Sequence, residues 1–420
     1  MVTGSPRVLV LCQNNIQPFT GGGVVLSNLF HAFPADSVLF FHRDIDYNYQ
    51  TSYPAHKLVW AWLRPNFSTF IRLLFRWVVG SAKQPLQVGR RDLPALFAQS
   101  CRFRFSREMD AEIRRFRPEV IYAWVGDSLW AETLRETARR YSLPYVIHFM
   151  DNHVGIDPRT PLERALYLVF RGNLDRVAKG AAAIYTISES MGVAYQALWN
   201  RPCEVFHGLL DTATWPWPGE RKTDGIFTLV FTGSVEQGQL LGLRDVASAV
   251  GQLAKGGMAV RLVLYLTEQY ERMVAREFAA FPQVEIRRHP EFAGLRMALA
   301  EADLLVLAYG FDERTIRYYR YSFATKVVPY MLSGRCILVY GPDEIEPVAY
   351  AMRGGWAATV SNPGIPGLME TIGTLAAVPR ERERLAREAY DAGCREHDLA
   401  ENSVRFARSL SMVARKNPSG

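Results

Sequence analysis

Apolar residues along this chain come in short, nearly unbroken runs, separated by stretches in which they recur every three or four positions. Residues 8–12 (VLVLC), 37–41 (SVLFF), 120–124 (VIYAW), 145–149 (YVIHF) and 183–187 (AIYTI) are such runs. They are short and apolar on alternate and adjacent positions alike, which predicts strands buried on both faces. Residues 24–33, 129–141, 162–179 and 191–198 carry the helical spacing. The scheme then restarts, with strands predicted at 228–232, 260–266, 284–287, 304–308 and 336–340 and helices at 243–254, 381–392 and 401–414. Strands alternating with helices predict an α/β protein with mostly parallel sheets covered on both sides. Residues 211–225, with Pro216, Pro218 and no periodicity, read as a linker. The expected organisation is therefore a Rossmann-like domain over 1–210, a second over 226–390, and a closing helix within 391–420 that packs back on the first domain. Two doubly wound domains of this kind face each other across a cleft at the carboxyl ends of their strands, where such folds take their ligands.

Composition narrows this. At 420 residues, 49% hydrophobic and 22% charged, the chain can build two cores, and a disordered protein is excluded. Five cysteines (Cys12, Cys101, Cys203, Cys336, Cys394) lie far apart without a CxxC pair, so neither a disulfide framework nor a zinc site is expected. No run has the length to span a bilayer and the start does not read as a signal peptide. The expected location is cytoplasmic, peripheral at the inner face of the membrane. The net charge of +7 suits phosphorylated ligands or an anionic surface, and nucleic-acid binding is not expected on charge alone. Residues 57–79, KLVWAWLRPNFSTFIRLLFRWVV, interleave aromatics with arginines, and Arg90, Arg91 and residues 102–107 follow. That mixture suits an anionic membrane surface or a lipid-linked acceptor, against the ordinary reading of a core helix with charged ends.

Four segments carry candidate chemistry. Residues 318–342, YYRYSFATKVVPYMLSGRCILVYGP, set hydroxyl and small residues ahead of a helix, with Lys326 on its first turn. Free backbone N–H groups, hydroxyls and a mobile cation there suit a diphosphate. Residues 144–154, PYVIHFMDNHV, put His148 and Asp151 at the end of a predicted strand. Residues 18–26, PFTGGGVVL, put Gly22 and Gly23 between the first strand and first helix. Residues 231–239, FTGSVEQGQ, put Gly233 and Ser234 in the corresponding turn of the second domain.

In order and spacing these segments resemble the retaining GT-B glycosyltransferases of the group 1, family 4-like type. The match to a pattern close to SFPSKLxEYLxSGRPVLxYGP is dense, at Ser322, Phe323, Thr325, Lys326, Tyr330, Ser333, Gly334, Arg335, Tyr340, Gly341 and Pro342. Residues 282–292 and 297–308 resemble the base-binding strand and the strand after it. The resemblance implies the GT-B fold and a Leloir-type hexosyltransferase of polysaccharide assembly, with a nucleotide-sugar donor and a glycan or lipid-linked acceptor. It also implies retention and no metal or other cofactor. It assigns the donor to Gly22, Gly23, Gly233, Ser234, Arg320, Ser322, Phe323, Ala324, Thr325 and Lys326, and the sugar to His148 and Asp151. At two positions where that family carries glutamates this chain has Tyr321 and Pro329. That departure keeps a second reading open, a GT-B protein that binds a nucleotide-sugar as the scaffold subunit of a glycan assembly system.

Overall fold

Five strands of the two large sheets, 8–12, 38–42, 120–123, 304–308 and 336–340, are runs in which every side chain is buried, as parallel strands covered by helices must be. A computed structural model describes residues 5–13, 16, 21–43, 53–58, 63–80, 96, 97, 99–218, 224–290 and 292–415. The chain divides into two compact units, Met1–His207 with Ala400–Gly420, and Gly208–Leu399.

The first unit contains β1 (Val8–Cys12), β2 (Val38–His42), β3 (Ala55–Lys57), β4 (Leu63–Pro65), β5 (Cys101–Phe103), β6 (Val120–Ala123), β7 (Tyr145–Phe149), β8 (Ala183–Thr186) and β9 (Cys203–Val205). Seven of these form one sheet in the order β3-β2-β1-β6-β7-β8-β9, with every pairing parallel; β4 and β5 form a separate antiparallel pair. Its helices are α1 (Gly21–Leu29), α2 (Phe67–Gly80), α3 (Arg107–Phe116), α4 (Ser128–Tyr141), α5 (Pro161–Gly180) and α6 (Glu189–Trp199). The long α5 opens on Pro161 and on a reciprocal cap between Thr160 and Glu163, which satisfies donors that the first turn leaves free.

The second unit contains β10 (Phe227–Gly233), β11 (Val260–Leu266), β12 (Val284–Arg288), β13 (Leu304–Ala308), β14 (Cys336–Tyr340) and β15 (Ala358–Val360), all parallel, in the order β12-β11-β10-β13-β14-β15. Its helices are α7 (Gln237–Lys255), α8 (Glu268–Phe278), α9 (Phe292–Ala300), α10 (Glu313–Tyr319), α11 (Val327–Leu332), α12 (Glu346–Gly354), α13 (Ile365–Ala377) and α14 (Pro379–Glu396). The strand order reverses once in each sheet, between β1 and β6 and between β10 and β13. Those are the points at which doubly wound sheets bind ligands.

The last helix, α15 (Leu399–Arg415), belongs almost wholly to the first unit. It inserts Phe406, with no exposed surface, among the rings of Phe30, Phe33, Tyr122, Tyr185 and Phe206 at centroid distances of 5.2, 6.1, 5.6, 5.7 and 5.1 Å.

Three expectations shift in detail. Gly21, Gly22 and Gly23 are the first turn of α1 rather than the loop before it. The stretch 211–218 belongs to the second unit and is anchored in it, because Trp215 is buried, its carbonyl accepts from the Tyr390 hydroxyl at 2.8 Å, and Arg296 lies over its ring. Residues 219–223 lie outside the described residues. Residues 391–396 continue α14 in the second unit, so the return to the first begins only at Ala400.

Candidate functional site

In the second unit the chemistry gathers where β10 ends. Gly233 closes that strand at φ +103°, a left-handed backbone that a side chain would strain, and Ser234 follows, exposed. The Lys326 ammonium donates to the Ser234 carbonyl at 3.2 Å and lies over the Phe231 ring at 3.7 Å. Tyr330, one turn into α11 and fully buried, holds the two segments together. Its hydroxyl accepts from the Thr232 backbone N–H at 2.8 Å and bonds the Thr232 hydroxyl at 3.3 Å. Lys326 is half-buried, and loss of water pulls its pKa down to about 7, only partly countered by Glu236. His289, just beyond β12, is held below the ordinary histidine range by burial and by Lys326. Glu236 caps α7 reciprocally with Gln239 and accepts from the Tyr270 hydroxyl at 3.1 Å.

The structure thus brings Gly233, Ser234 and Lys326 together at the strand-order reversal. The neighbouring residues of the same segment have other work. Ser322 is buried and donates to the Tyr318 carbonyl at 3.0 Å. Phe323 is a wedge between Tyr350 and His397, at 5.2 and 5.7 Å. Ala324 accepts from the Val327 N–H at the start of α11, and Arg320 and Thr325 are exposed. Pro329 falls in the first turn of α11, where its missing N–H costs nothing, and Tyr321 is half-buried.

In the first unit, Gly22 is half-buried and Gly23 buried in α1, while most of the loop before them (14, 15 and 17–20) lies outside the described residues. His148 has no exposed surface. Its Nδ1 shares a 2.8 Å hydrogen bond with the Tyr122 hydroxyl, and its ring meets Tyr122 and Tyr185 edge to face. Nε2 is buried and makes no hydrogen bond of ordinary geometry. Desolvation pushes the pKa down to about 3, and the nearby Phe206 backbone offsets only part of it. Asp151, half-buried, follows β7, and Asn152 accepts from the Gly155 N–H at 3.1 Å and the Tyr195 hydroxyl at 3.3 Å.

Sequence reasoning missed Asp127 and Arg43. Asp127 caps α4 by accepting from the Trp130 N–H at 3.0 Å, and Arg43 approaches it to 4.0 Å. Burial raises the Asp127 pKa, and it lowers that of His153 against the pull of Asp151 and Asp127. An aspartate before a helix reads as a cap in any sequence, so no pattern distinguished this one.

A cavity of about 660 Å³ in the second unit lies at the opposite pole, at the amino ends of β10 and β14, between Trp217, Phe227, Met258, Arg335 and Arg382. Arg382 is already engaged there, donating to the carbonyls of Leu375 and Ala376.

No family model matches the chain, and no curated protein matches it. Solved structures do. The HepE protein of Anabaena, in complex with UDP and glucose, superposes at TM-score 0.64 and 12% identity, over 97% of this chain and 99% of that one. Sucrose-phosphate synthase from Thermosynechococcus elongatus superposes at 0.67 and 11%, over 98% and 100%. The N-terminal domain of Candida albicans trehalose-6-phosphate phosphatase does so at 0.62 and 13%, over 97% of each. The fold is GT-B. Agreement over essentially whole chains at such low identity is agreement of backbone path, and it extends to both Rossmann-like units of the GT-B architecture. Within that architecture the Lys326 cluster lies at the carboxyl ends of the second sheet's strands.

Proposed function

We propose that this chain is a Leloir-type glycosyltransferase that moves a hexose from a nucleoside diphosphate sugar to a glycan or lipid-linked acceptor, with retention and without a metal ion. The observation that carries the reading is Lys326, its ammonium against the Gly233–Ser234 turn where the order of the second sheet reverses. In the transfer the bond from the anomeric carbon to the diphosphate oxygen breaks, and a bond from that carbon to an acceptor oxygen forms. The acceptor's proton passes to the departing diphosphate. Charge develops on that diphosphate, and a partly desolvated ammonium at a strand-end turn is the arrangement that stabilises it. Asp151 is the carboxylate proposed for the sugar's hydroxyls. His148, neutral and enclosed, steadies the strand that carries it. The HepE complexes with UDP and UDP-glucose support starting with uridine nucleotides as donors.

A thermal-shift titration with UDP, GDP, ADP, CMP and dTDP tests the reading. Stabilisation by one nucleotide, abolished by Lys326→Met, is the expected result, and turnover of the matching sugar nucleotide is expected to persist in EDTA. No shift with any nucleotide in a folded sample would overturn it. A second reading, the nucleotide-sugar-binding scaffold subunit, draws on Tyr321 and Pro329 and on the commitment of Ser322 and Phe323 to local packing. Nucleotide binding with no donor hydrolysis or transfer would select it.

A further inference from the structure

Helix α2 is apolar on two sides. Towards its own unit it buries Leu73 and Trp77, which pack with Leu96 and with Ala165 and Val169 of α5. Away from it stand Phe67, Ile71, Phe75 and Val78, exposed by 69%, 62%, 67% and 50%. At 100° per residue these four fall within an arc of about 80°, so they form one stripe. The helix contains no acidic residue; Arg72 and Arg76, both exposed, run along one flank, and Arg64 stands exposed just before it.

The charge around the stripe is one-sided. Residues 57–107 hold ten Lys or Arg and a single acid, Asp92. The rest of the chain holds 39 basic and 41 acidic residues, a net −2 against +7 for the whole, so this stretch carries the entire positive excess. An anionic partner is indicated. A second copy is disfavoured, because a two-fold pairing of stripes would bring Arg72 and Arg76 of each copy together with no acid on α2 to offset them. The chain's own segment 81–95 is also net basic, with Lys83, Arg90 and Arg91 against Asp92.

We propose that α2 docks the protein onto an anionic lipid bilayer, lying in the plane of the interface with Phe67, Ile71, Phe75 and Val78 below the phosphates and Arg64, Arg72 and Arg76 among them. Its 14 residues extend about 21 Å, short of the hydrocarbon thickness, and among the described residues no helix is long and apolar enough to cross. Buried aromatic and aliphatic area and attraction to headgroups then add, with the arginine stems reaching up past the stripe. This stands whether or not the chain transfers a sugar.

The test is sedimentation of the full chain with vesicles of phosphatidylcholine, with and without phosphatidylglycerol, at low and high salt. Binding is expected to the anionic vesicles only and to weaken with salt. Phe67→Ser with Phe75→Ser is expected to weaken it about tenfold or more, and Arg72→Gln with Arg76→Gln to remove the preference for anionic lipid. These side chains are exposed, so melting temperature and the nucleotide response of the second unit are expected to stay as in the parent chain. Failure of the folded parent to bind anionic vesicles, or binding unchanged in both variants, would overturn the proposal. So would a lipid-free dimer, seen by light scattering, that the phenylalanine substitutions dissolve.

Discussion

At Lys326 the ammonium has exchanged part of its water for an aromatic face and one carbonyl, and its pKa falls to about 7. A bound diphosphate raises that pKa again, so binding takes up a proton. Affinity is therefore expected to be flat below about pH 7 and to fall as pH rises above it, with Lys326→Met removing the slope; titration calorimetry in buffers of different ionisation enthalpy would detect the proton. His148 works in the opposite direction on stability. Its folded pKa of about 3 lies below the unfolded value, so the unfolded chain binds the extra proton. The associated stability is complete above about pH 6.5 and is lost, by up to about 1.4 kcal/mol per pH unit, as pH falls from there towards the folded pKa. Denaturant unfolding of His148→Phe between those limits should give a shallower acid limb than the parent. A parallel limb would place the buried histidine's proton elsewhere.

Among the elements, α7 depends on glycine. A Cβ on Gly242 would come within 2.4 Å of the Tyr309 backbone nitrogen, and one on Gly238 within 2.7 Å of the Thr315 hydroxyl. The helix therefore rides on the chain just past β13, and the two segments bordering the Lys326 turn are held at backbone contact. Gly242→Ala must push backbone apart; a loss of about 1–3 kcal/mol in chemical denaturation is expected despite alanine's better helix propensity. The reading of the sequence starts this helix at 243, because glycines and glutamines carry no apolar period. The structure starts it at Gln237, where a cap and close packing do what periodicity cannot announce. The same limit explains other differences. The central strands are mostly apolar runs and were legible. The edge strands β3, β9 and β15 are three residues each, with exposed or half-exposed positions, and carry no signal of their own. At the site, the glycine turn and its lysine were legible from the order of residue types, whereas the buried commitment of Phe323 arises from Tyr350 and His397, tens of positions away.

On the scale of the whole molecule, the first unit is built from two separated stretches of chain. Phe406 fills a slot lined by five aromatic rings, from the turn after α1 to the segment after β9, and Ser409 bonds both the Tyr185 hydroxyl, at 2.6 Å, and Glu204, at 2.7 Å. Phe406→Ala is expected to cost the first unit about 3–5 kcal/mol. If the units unfold separately, only the transition reported by the first should move; equal shifts in both transitions would mean that they unfold as one.

That construction inverts the order in which the protein can be finished. A ribosome releases residues 1–207 first, but the residues that complete their core, from Ala400 on, follow roughly 190 positions later. At about 5–20 residues per second that is a wait of roughly 10–40 s. The second unit has all of its own residues by Leu399 and can close while the first still has an unfilled aromatic slot. The half that is made first is therefore the half that matures last, and through that interval its exposed aromatics are what chaperones would find.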